Sequence, residues 1–344
     1  MQLANYSQRT LYLLSFRFIS MKQIFAKYSF QFIMVLFVNF TMAQTITIAD
    51  SINNEPIPYA TISFGNGLGN FADEDGQFFF SEEKYSDVDT LFISAMGYAE
   101  KAVLTTSLPE IILLRPEVSQ LNEAVVSAPK NRKFKLRKRK PISHADLFAS
   151  WLPTAESEVA VLFKRYEGKP SQISKLLLPI NAESKYKTKG KGKFATIFRV
   201  NFYENYKGLP GDPTGYENIV FSINEKEDKV FELDVSSKSI YIPEDGIFVS
   251  IQVLGYANSK GRLAQTKQYR EIKTARGIQK ISTSFRPLLP FSNKLVGQNT
   301  YVRRIFLNNK KWQIFDRSYN EKSKLIQTGH RNYGMGAEFR VFEN

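Results

Sequence analysis

Short runs of alternating polar and apolar residues, separated by turn signals, dominate residues 44–129. Alternation with a period of two is typical of β-strands that bury one face. Gly65-Asn66-Gly67 and Asp73-Glu74-Asp75-Gly76 supply turn residues between runs. The spacing predicts a seven-stranded β-sandwich of two sheets, with six of its strands at 45–48, 59–64, 77–80, 91–94, 99–104 and 111–114.

Residues 141–344 show the same kind of pattern over a longer stretch, which predicts a larger β-sandwich or jelly-roll-like domain. One short helix is expected at 144–151, with Ser143 as its cap and Asp146 in its first turn. The expected strands are 158–163, 172–178, 195–203, 219–223, 230–235, 246–254, 279–285, 299–307, 311–315, 325–328 and 337–342. The fold class predicted for the whole chain is therefore all-β.

Residues 1–43 have the three parts of a secretory signal peptide. Lys22 and Lys27 precede an apolar stretch at 30–40, and Thr41-Met42-Ala43 offers a cleavage site before Gln44. The apolar stretch is shorter than the roughly 20 residues that span a bilayer, and a signal anchor is the alternative. A leader counted from Met1 would be unusually long, so Met21 is the expected start. The sequence predicts export.

Charge divides the chain into three segments. Residues 44–129 hold three basic and thirteen acidic residues, a balance of −10. Residues 130–140 hold eight basic residues and no acid, and residues from 141 onward have a balance of +12. The predicted organisation is thus an acidic domain at 44–129, a basic linker at 130–140 and a basic domain at 141–344.

The basic linker admits several interpretations. Eight like charges favour a solvated, extended segment, but contact with an acidic membrane or polymer surface, or with the acidic first domain, is also open. Nucleic acid is not expected as a partner, because export is predicted and no nucleic-acid-binding motif is present. The candidate contact residues are Arg132, Lys133, Lys135, Arg137, Lys138, Arg139 and Lys140.

Three motifs of the first segment occur in order: Pro56-Ile57-Pro58-Tyr59-Ala60-Thr61-Ile62, Phe71-Ala72-Asp73-Glu74-Asp75-Gly76-Gln77-Phe78 and Leu91-Phe92-Ile93-Ser94-Ala95-Met96-Gly97-Tyr98. Together with Leu121-Asn122-Glu123-Ala124-Val125-Val126, they resemble the carboxypeptidase regulatory-like domain, a transthyretin-like sandwich. The resemblance is to the domain that precedes the plug of outer-membrane nutrient receptors. It implies a bacterial envelope setting and a non-catalytic accessory role. The C-terminal half weakly resembles an uncharacterised β module, through residues 198–203 and 243–253.

Four residues of these motifs have structural explanations. Asp73 and Asp75 are expected to bond the backbone of a turn in which Gly76 adopts a positive φ. Gly97 is expected at a bulge or tight bend. A calcium loop is the competing hypothesis for Asp73-Glu74-Asp75-Gly76, although Phe71 stands where an EF-hand would require another acidic ligand.

Candidate catalytic chemistry is sparse. The chain has no cysteine and two histidines, His144 and His330, neither of which lies in a zinc-peptidase motif. A glycoside hydrolase needs only two carboxylates, so it stays open as the exception to a non-enzymatic prediction. Trp312 is a candidate ligand contact, but its alternation with Ile314 favours a core position.

The sequence therefore predicts an exported, non-catalytic envelope protein that acts as a binding or scaffold module, accessory to an outer-membrane transport or surface assembly. The alternative is a carbohydrate- or polymer-binding module. The expected partner is an envelope protein or polysaccharide, with an acidic surface also possible through the basic linker, and no cofactor is expected. The expected location is the periplasm, the outer membrane or the cell surface.

Overall fold

Strands make up most of the regular structure in the computed structural model, which describes residues 44–117, 133–183, 193–227, 229–294, 298–307 and 309–343. The prediction of an all-β fold is confirmed. Residues 44–344 form one compact unit, and the predicted signal peptide lies outside the described residues. Below, residues 44–117 are called the N-terminal module and residues 133–343 the C-terminal module.

The N-terminal module contains seven strands in two sheets, as the alternation predicts. One sheet has the order β4-β1-β7 and the other β3-β2-β5-β6. Alternate residues of both sheets point into one core, in which Ile46, Ile62 and Phe78 are buried. The strands are β1 (Gln44–Asp50), β2 (Thr61–Ser63), β3 (Gly69–Phe71), β4 (Gln77–Phe80), β5 (Thr90–Ser94), β6 (Lys101–Leu104) and β7 (Ile111–Leu114).

The C-terminal module is built on two large sheets that share one core, a sandwich-like arrangement. The first sheet comprises β10 (Ser157–Phe163), β12 (Ala195–Tyr206), β13 (Leu209–Pro213), β14 (Ile219–Asn224), β17 (Ile247–Tyr256), β21 (Thr300–Arg304) and β22 (Gln313–Ile314). The second comprises β8 (Phe134–Arg139), β11 (Ser171–Pro179), β15 (Val230–Asp234), β16 (Ile240–Tyr241) and β24 (Gly336–Phe342).

Smaller elements complete the C-terminal module. A two-stranded hairpin is formed by β18 (Tyr269–Thr274) and β19 (Gly277–Ser282). A three-stranded sheet is formed by β9 (Ser150–Trp151), β20 (Leu289–Ser292) and β23 (Asn332–Tyr333). The helices are α1 (Arg317–Asn320) and α2 (Lys324–Gln327), and 3₁₀ turns lie at Thr105–Ser107, Tyr166–Gly168 and Ser236–Lys238. Within the described residues, no helix is both long and apolar enough to cross a membrane.

Two local predictions are wrong. The expected helix at 144–151 is a turn followed by β9, because the Asp146 carboxylate accepts the Phe148 N–H at 2.9 Å and Trp151 pairs with Leu289 of β20. Asp side chains often bond the backbone locally in this way and so compete with helix formation. The expected strand at 325–328 is instead helix α2, whose Leu325 and Ile326 are buried in the core.

The basic run is also not a linker over Phe134–Arg139, which form β8 at the edge of the second sheet. Lys135, Arg137 and Arg139 lie directly opposite Val341, Phe339 and Ala337 of β24. Opposite residues of antiparallel strands project to the same face, so these cations project toward the face that β24 buries. Charged side chains on an edge strand keep it from pairing with a like-charged copy, while β8 pairs with β24 on its other side.

Each module contributes an aromatic side chain to the core of the other. Phe71 of β3 is buried in the core of the C-terminal module, where its ring lies 5.4 Å from that of Phe306. Tyr269 at the base of the β18–β19 hairpin is buried in the core of the N-terminal module, 6.5 Å from the Phe64 ring. The two cores are therefore interlocked rather than joined only by the chain.

Ion pairs reinforce this junction and follow the opposite charges of the two modules. Arg262 contacts the carboxylates of Asp73, Glu74 and Asp75. Lys280 pairs with Asp87, and Lys310 pairs with Glu100 at 2.5 Å. The acidic N-terminal module thus meets cations of the C-terminal module outside residues 130–140, the segment in which the sequence suggested such a contact.

Candidate functional site

A row of polar side chains crosses four strands of the first sheet of the C-terminal module. Arg199 of β12 lies opposite Gln252 of β17, which lies opposite Glu158 of β10, which in turn lies opposite Arg303 of β21. Alternation places all four on the face turned away from the main core, because their neighbours along each strand point inward. This row is called the polar row below.

Glu158 is the centre of the row and is 0% exposed. Its Oε1 accepts hydrogen bonds from Ser250 Oγ at 2.5 Å, Asn201 Nδ2 at 2.8 Å and the Tyr203 hydroxyl at 2.8 Å. Its Oε2 accepts from Arg303 Nε at 2.7 Å, and Arg303 Nη2 also donates to the Tyr203 hydroxyl at 2.6 Å. A buried carboxylate needs this number of partners to remain ionised.

The electrostatics of the pair follow from these contacts. Burial alone would raise the pKa of Glu158, but the charge of Arg303 and the bonds from Ser250, Asn201 and Tyr203 outweigh it and lower the pKa below its ordinary value. Burial lowers the pKa of Arg199, which nonetheless stays a cation because a guanidinium does not deprotonate in proteins. Glu158 is thus held as an anion and Arg199 as a cation.

A cavity of about 160 Å³ lies over the polar row, where the N-terminal module covers it. We call it the junction cavity because residues of both modules line it. The N-terminal module contributes Thr61, Ser94, Ala95 and Met96, and the C-terminal module contributes Glu158, Arg199, Asn201, Tyr203, Pro213, Asn218, Gln252, Arg303, Ile305 and Lys310.

The wall of the junction cavity carries an excess of positive charge. Arg303 is paired with Glu158, and Lys310 with Glu100. Arg199 donates to Gln252 Oε1 at 2.7 Å and to the Tyr59 carbonyl at 3.0 Å, both of which are neutral acceptors. Arg199 therefore leaves a net charge of +1 that the described lining residues do not compensate.

Glu158 is the single carboxylate among the described lining residues, whereas glycoside hydrolysis requires a pair. Both oxygens of Glu158 already accept hydrogen bonds from surrounding side chains.

The sequence did not single out these residues. Arg199, Asn201 and Gln252 fall within the segments 198–203 and 243–253, which carry the weak resemblance to an uncharacterised β module. The available signal was the polar residue at every second position of otherwise apolar strands, as in Arg199-Val200-Asn201 and Ser250-Ile251-Gln252. Their meeting depends on strand register, which alternation does not supply.

The predicted basic contacts lie elsewhere, on β8 and its flanks. Lys138 pairs with Glu338 at 3.1 Å, Lys135 pairs with Glu343 at 2.6 Å, and Arg139 packs over the Phe163 ring. Of the remaining candidates, Arg132 lies outside the described residues. Lys133, Arg137 and Lys140 are exposed, and no ion pair involves them in the described part of the chain.

Trp312 precedes β22 and is half-buried against the polar row. Its ring lies 5.4 Å from that of Tyr203, and the Arg303 guanidinium lies 4.6 Å from its centre. A cation over an indole face is a favourable contact. This packing favours the core interpretation of Trp312 over that of an open stacking platform.

Of the two aspartates expected to bond the backbone of the acidic turn, Asp73 does so, whereas the Asp75 carboxylate contacts Arg262 instead. Asp73 Oδ1 accepts the N–H groups of Asp75 and Gln77 at 3.0 and 2.9 Å, and Gly76 has a φ of +69°. Arg262 contacts the carboxylates of the turn, and its guanidinium supplies the positive charge that balances them. In the described residues, no group of three or more histidine or acidic side chains is placed to hold a metal ion.

Gly97 and Gly76 provide a matched pair of substitutions, since both have a positive φ, +81° and +69°. A Cβ at Gly97 would meet nothing within 4 Å, whereas one at Gly76 would lie 2.8 Å from the Ile48 carbonyl oxygen. We expect Gly97→Ala to lower the free energy of unfolding by about 1 kcal/mol and Gly76→Ala by about 3 kcal/mol. Urea titration measures both, and equal losses would contradict the steric argument.

The two histidines, distant in sequence, are brought together. Their ring centres lie 6.3 Å apart, and His144 Nε2 is 2.6 Å from the Phe291 carbonyl oxygen. His330 Nδ1 is 3.0 Å from Thr328 Oγ1. Sequence spacing gave no sign of this pairing, which results from the β9–β20–β23 sheet and the turn after α2.

Neither a scan of the sequence against protein-family models nor a search of curated proteins finds a match. The resemblance of residues 44–129 to the carboxypeptidase regulatory-like domain therefore stays a prediction.

Proposed function

We propose that this chain is an exported, non-catalytic binding or scaffold module of a bacterial cell envelope, in the periplasm, at the outer membrane or on the cell surface. The observation that carries the proposal is the open edge of β8. This strand pairs with β24 on one side, and no strand of the described residues pairs with its other side. An open edge offers backbone donors and acceptors to an extended segment of a partner.

The chemistry of the edge indicates the partner. Lys133, Arg137 and Lys140 are exposed along it, and none of them forms an ion pair with the described residues. Leu136 is 64% exposed on the opposite face of the strand. Like charges disfavour pairing with a second copy of β8, whereas an acidic, extended segment would gain both backbone bonds and ion pairs. The proposed partner is therefore an envelope protein that presents such a segment.

A pull-down from detergent-solubilised envelope tests this proposal. We expect the full chain to recover a membrane protein, and the triple substitution Lys133→Gln, Arg137→Gln, Lys140→Gln to lose most of it. The matched control replaces Lys229, Lys260 and Lys273, which are exposed cations away from β8, and should keep the partner. Binding should also weaken steeply as salt is raised, because exposed charges are screened.

A photo-crosslinker at position 136 locates the contact. The expected product joins β8 to an acidic segment of the partner, and a crosslinker at Ile52, an exposed residue of the other module, should give none. Equal recovery by the β8 variant and the wild type, or crosslinks at Ile52 alone, would overturn the proposal.

The alternative, a carbohydrate- or polymer-binding module, is favoured by one separate observation. The junction cavity is polar and positively charged, and it lies between the modules, a common position for ligand sites. It does not involve β8, so the two functions are separable by experiment.

A further inference from the structure

The junction cavity contains hydrogen-bonding groups that its own residues do not satisfy. Gln252 Nε2 and Asn201 Oδ1 have no hydrogen-bond partner among the described residues. Both side chains are more than nine-tenths buried. Buried polar atoms without partners are rare in folded proteins. Two of them, on residues that line one cavity, point to a ligand that supplies both an acceptor and a donor.

The orientation of both amides is fixed by charged neighbours. Asn201 places its Nδ2 against the Glu158 carboxylate, so its Oδ1 is the atom left over. Gln252 places its Oε1 against the Arg199 guanidinium, so its Nε2 is left over. Reversal of either amide would set like partial charges against each other. The unsatisfied pair is therefore one donor and one acceptor.

The guanidinium groups of Arg199 and Arg303 also favour a ligand that accepts hydrogen bonds. Arg199 has no acidic partner among the described residues and uses only neutral oxygens. Arg303 uses Nε and Nη2 for Glu158 and Tyr203, and its Nη1 makes no hydrogen bond to the described residues. A carboxylate matches this set, because it accepts from several donors and neutralises the charge of Arg199.

The volume limits the size of the group that enters. A cavity of about 150 Å³ is large enough to hold a benzene molecule, so the 160 Å³ of the junction cavity corresponds to a ligand, or the end of one, of about six to eight non-hydrogen atoms. The acceptor at Asn201 calls for a hydroxyl beside the carboxylate.

We propose that the junction cavity binds the carboxylate of a hydroxy acid, with Arg199, Arg303 and Gln252 as donors to the carboxylate and Asn201 Oδ1 as acceptor from the adjacent hydroxyl. The group comes either as a free small acid or as the uronic-acid end of an acidic polysaccharide. This site goes beyond the β8 interaction and does not depend on it.

Calorimetric titration of the full chain with lactate, glucuronate, a uronic-acid oligosaccharide and neutral glucose tests the site. Binding of lactate with at least the affinity of the two uronic acids assigns the site to a free small acid. Tighter binding of glucuronate or the oligosaccharide assigns it to a polysaccharide end. Glucose should not bind, because it lacks the carboxylate. Equal binding of glucose and glucuronate, or no binding of any of these acids at millimolar concentration, would overturn the proposal.

Two substitutions locate the binding. Arg199→Met should weaken it at least about tenfold, the loss expected for a charge-assisted hydrogen bond, while Arg270→Met on the exposed hairpin should leave it unchanged. Gln252→Glu gives Arg199 a carboxylate within the protein, and it should abolish binding while retaining a cooperative thermal transition. If acids bind Gln252→Glu as tightly as wild type, the site is not the junction cavity.

Discussion

Glu158→Gln is expected to lower the free energy of unfolding by about 3–5 kcal/mol, the range found when one partner of a buried ion pair is removed. The substitution leaves the Arg303 cation against a neutral group and deprives Ser250, Asn201 and Tyr203 of their charged acceptor. Urea denaturation measures the loss.

The control is Glu232→Gln, which removes the same charge from a surface pair. Glu232 is 51% exposed and pairs with Lys175 at 2.7 Å, so a loss of about 1 kcal/mol or less is expected. Similar losses at the two positions would contradict the assignment of Glu158 as the electrostatic centre of the sheet.

The same pair predicts how acid affects stability. Since the pKa of Glu158 is lower in the folded protein than in the unfolded chain, its stabilising contribution is complete above the unfolded-state pKa. That contribution is lost as pH falls through the lowered folded-state pKa, because the unfolded chain then binds more protons. Glu158→Gln should therefore show a shallower loss of stability on acidification than the wild type, measured as urea midpoints across the acid range.

Phe71→Ala is expected to lower the free energy of unfolding by about 3–5 kcal/mol, the usual cost of removing a buried phenylalanine ring. Phe71 is 0% exposed and contacts both the Phe306 ring and the Arg199 guanidinium. The substitution leaves a cavity that neither module closes alone, because the ring comes from one module and the pocket around it from the other. Thermal and urea unfolding by circular dichroism measure the effect.

Phe79→Ala is the matched control, eight residues further along the N-terminal module. Phe79 is 38% exposed, so its loss is expected to cost about 1 kcal/mol or less. If Phe71→Ala costs no more than Phe79→Ala, the packing between the modules contributes little to stability.

Alternation predicts much of the fold because the pattern of polar and apolar residues that marks a strand lies within the sequence of that strand. The predicted segments 77–80 and 111–114 coincide with β4 and β7, and 158–163 lies within β10. The errors have local physical causes. Charge repulsion suggested a linker where β8 forms, and the apolar residues of α2 suit a short strand as well as a buried helical turn.

The candidate site was less accessible to sequence reasoning, since it depends on pairing between distant strands. Arg199, Gln252, Glu158 and Arg303 come from four strands that span about two fifths of the chain, and a shift of one residue in any register would separate them. By contrast, the turn at Asp73 and Gly76 was predicted because its residues are neighbours in sequence.

The exchange of Phe71 and Tyr269 between the two cores has a consequence for proteolysis. A protease that cuts the chain between residues 117 and 133 removes the covalent connection but leaves the packing of Phe71 and Tyr269 across the junction in place. The two pieces should therefore stay together as a tight non-covalent complex and run as one species under native conditions, while denaturing electrophoresis shows two fragments. For this protein, an intact elution profile is not proof of an intact chain.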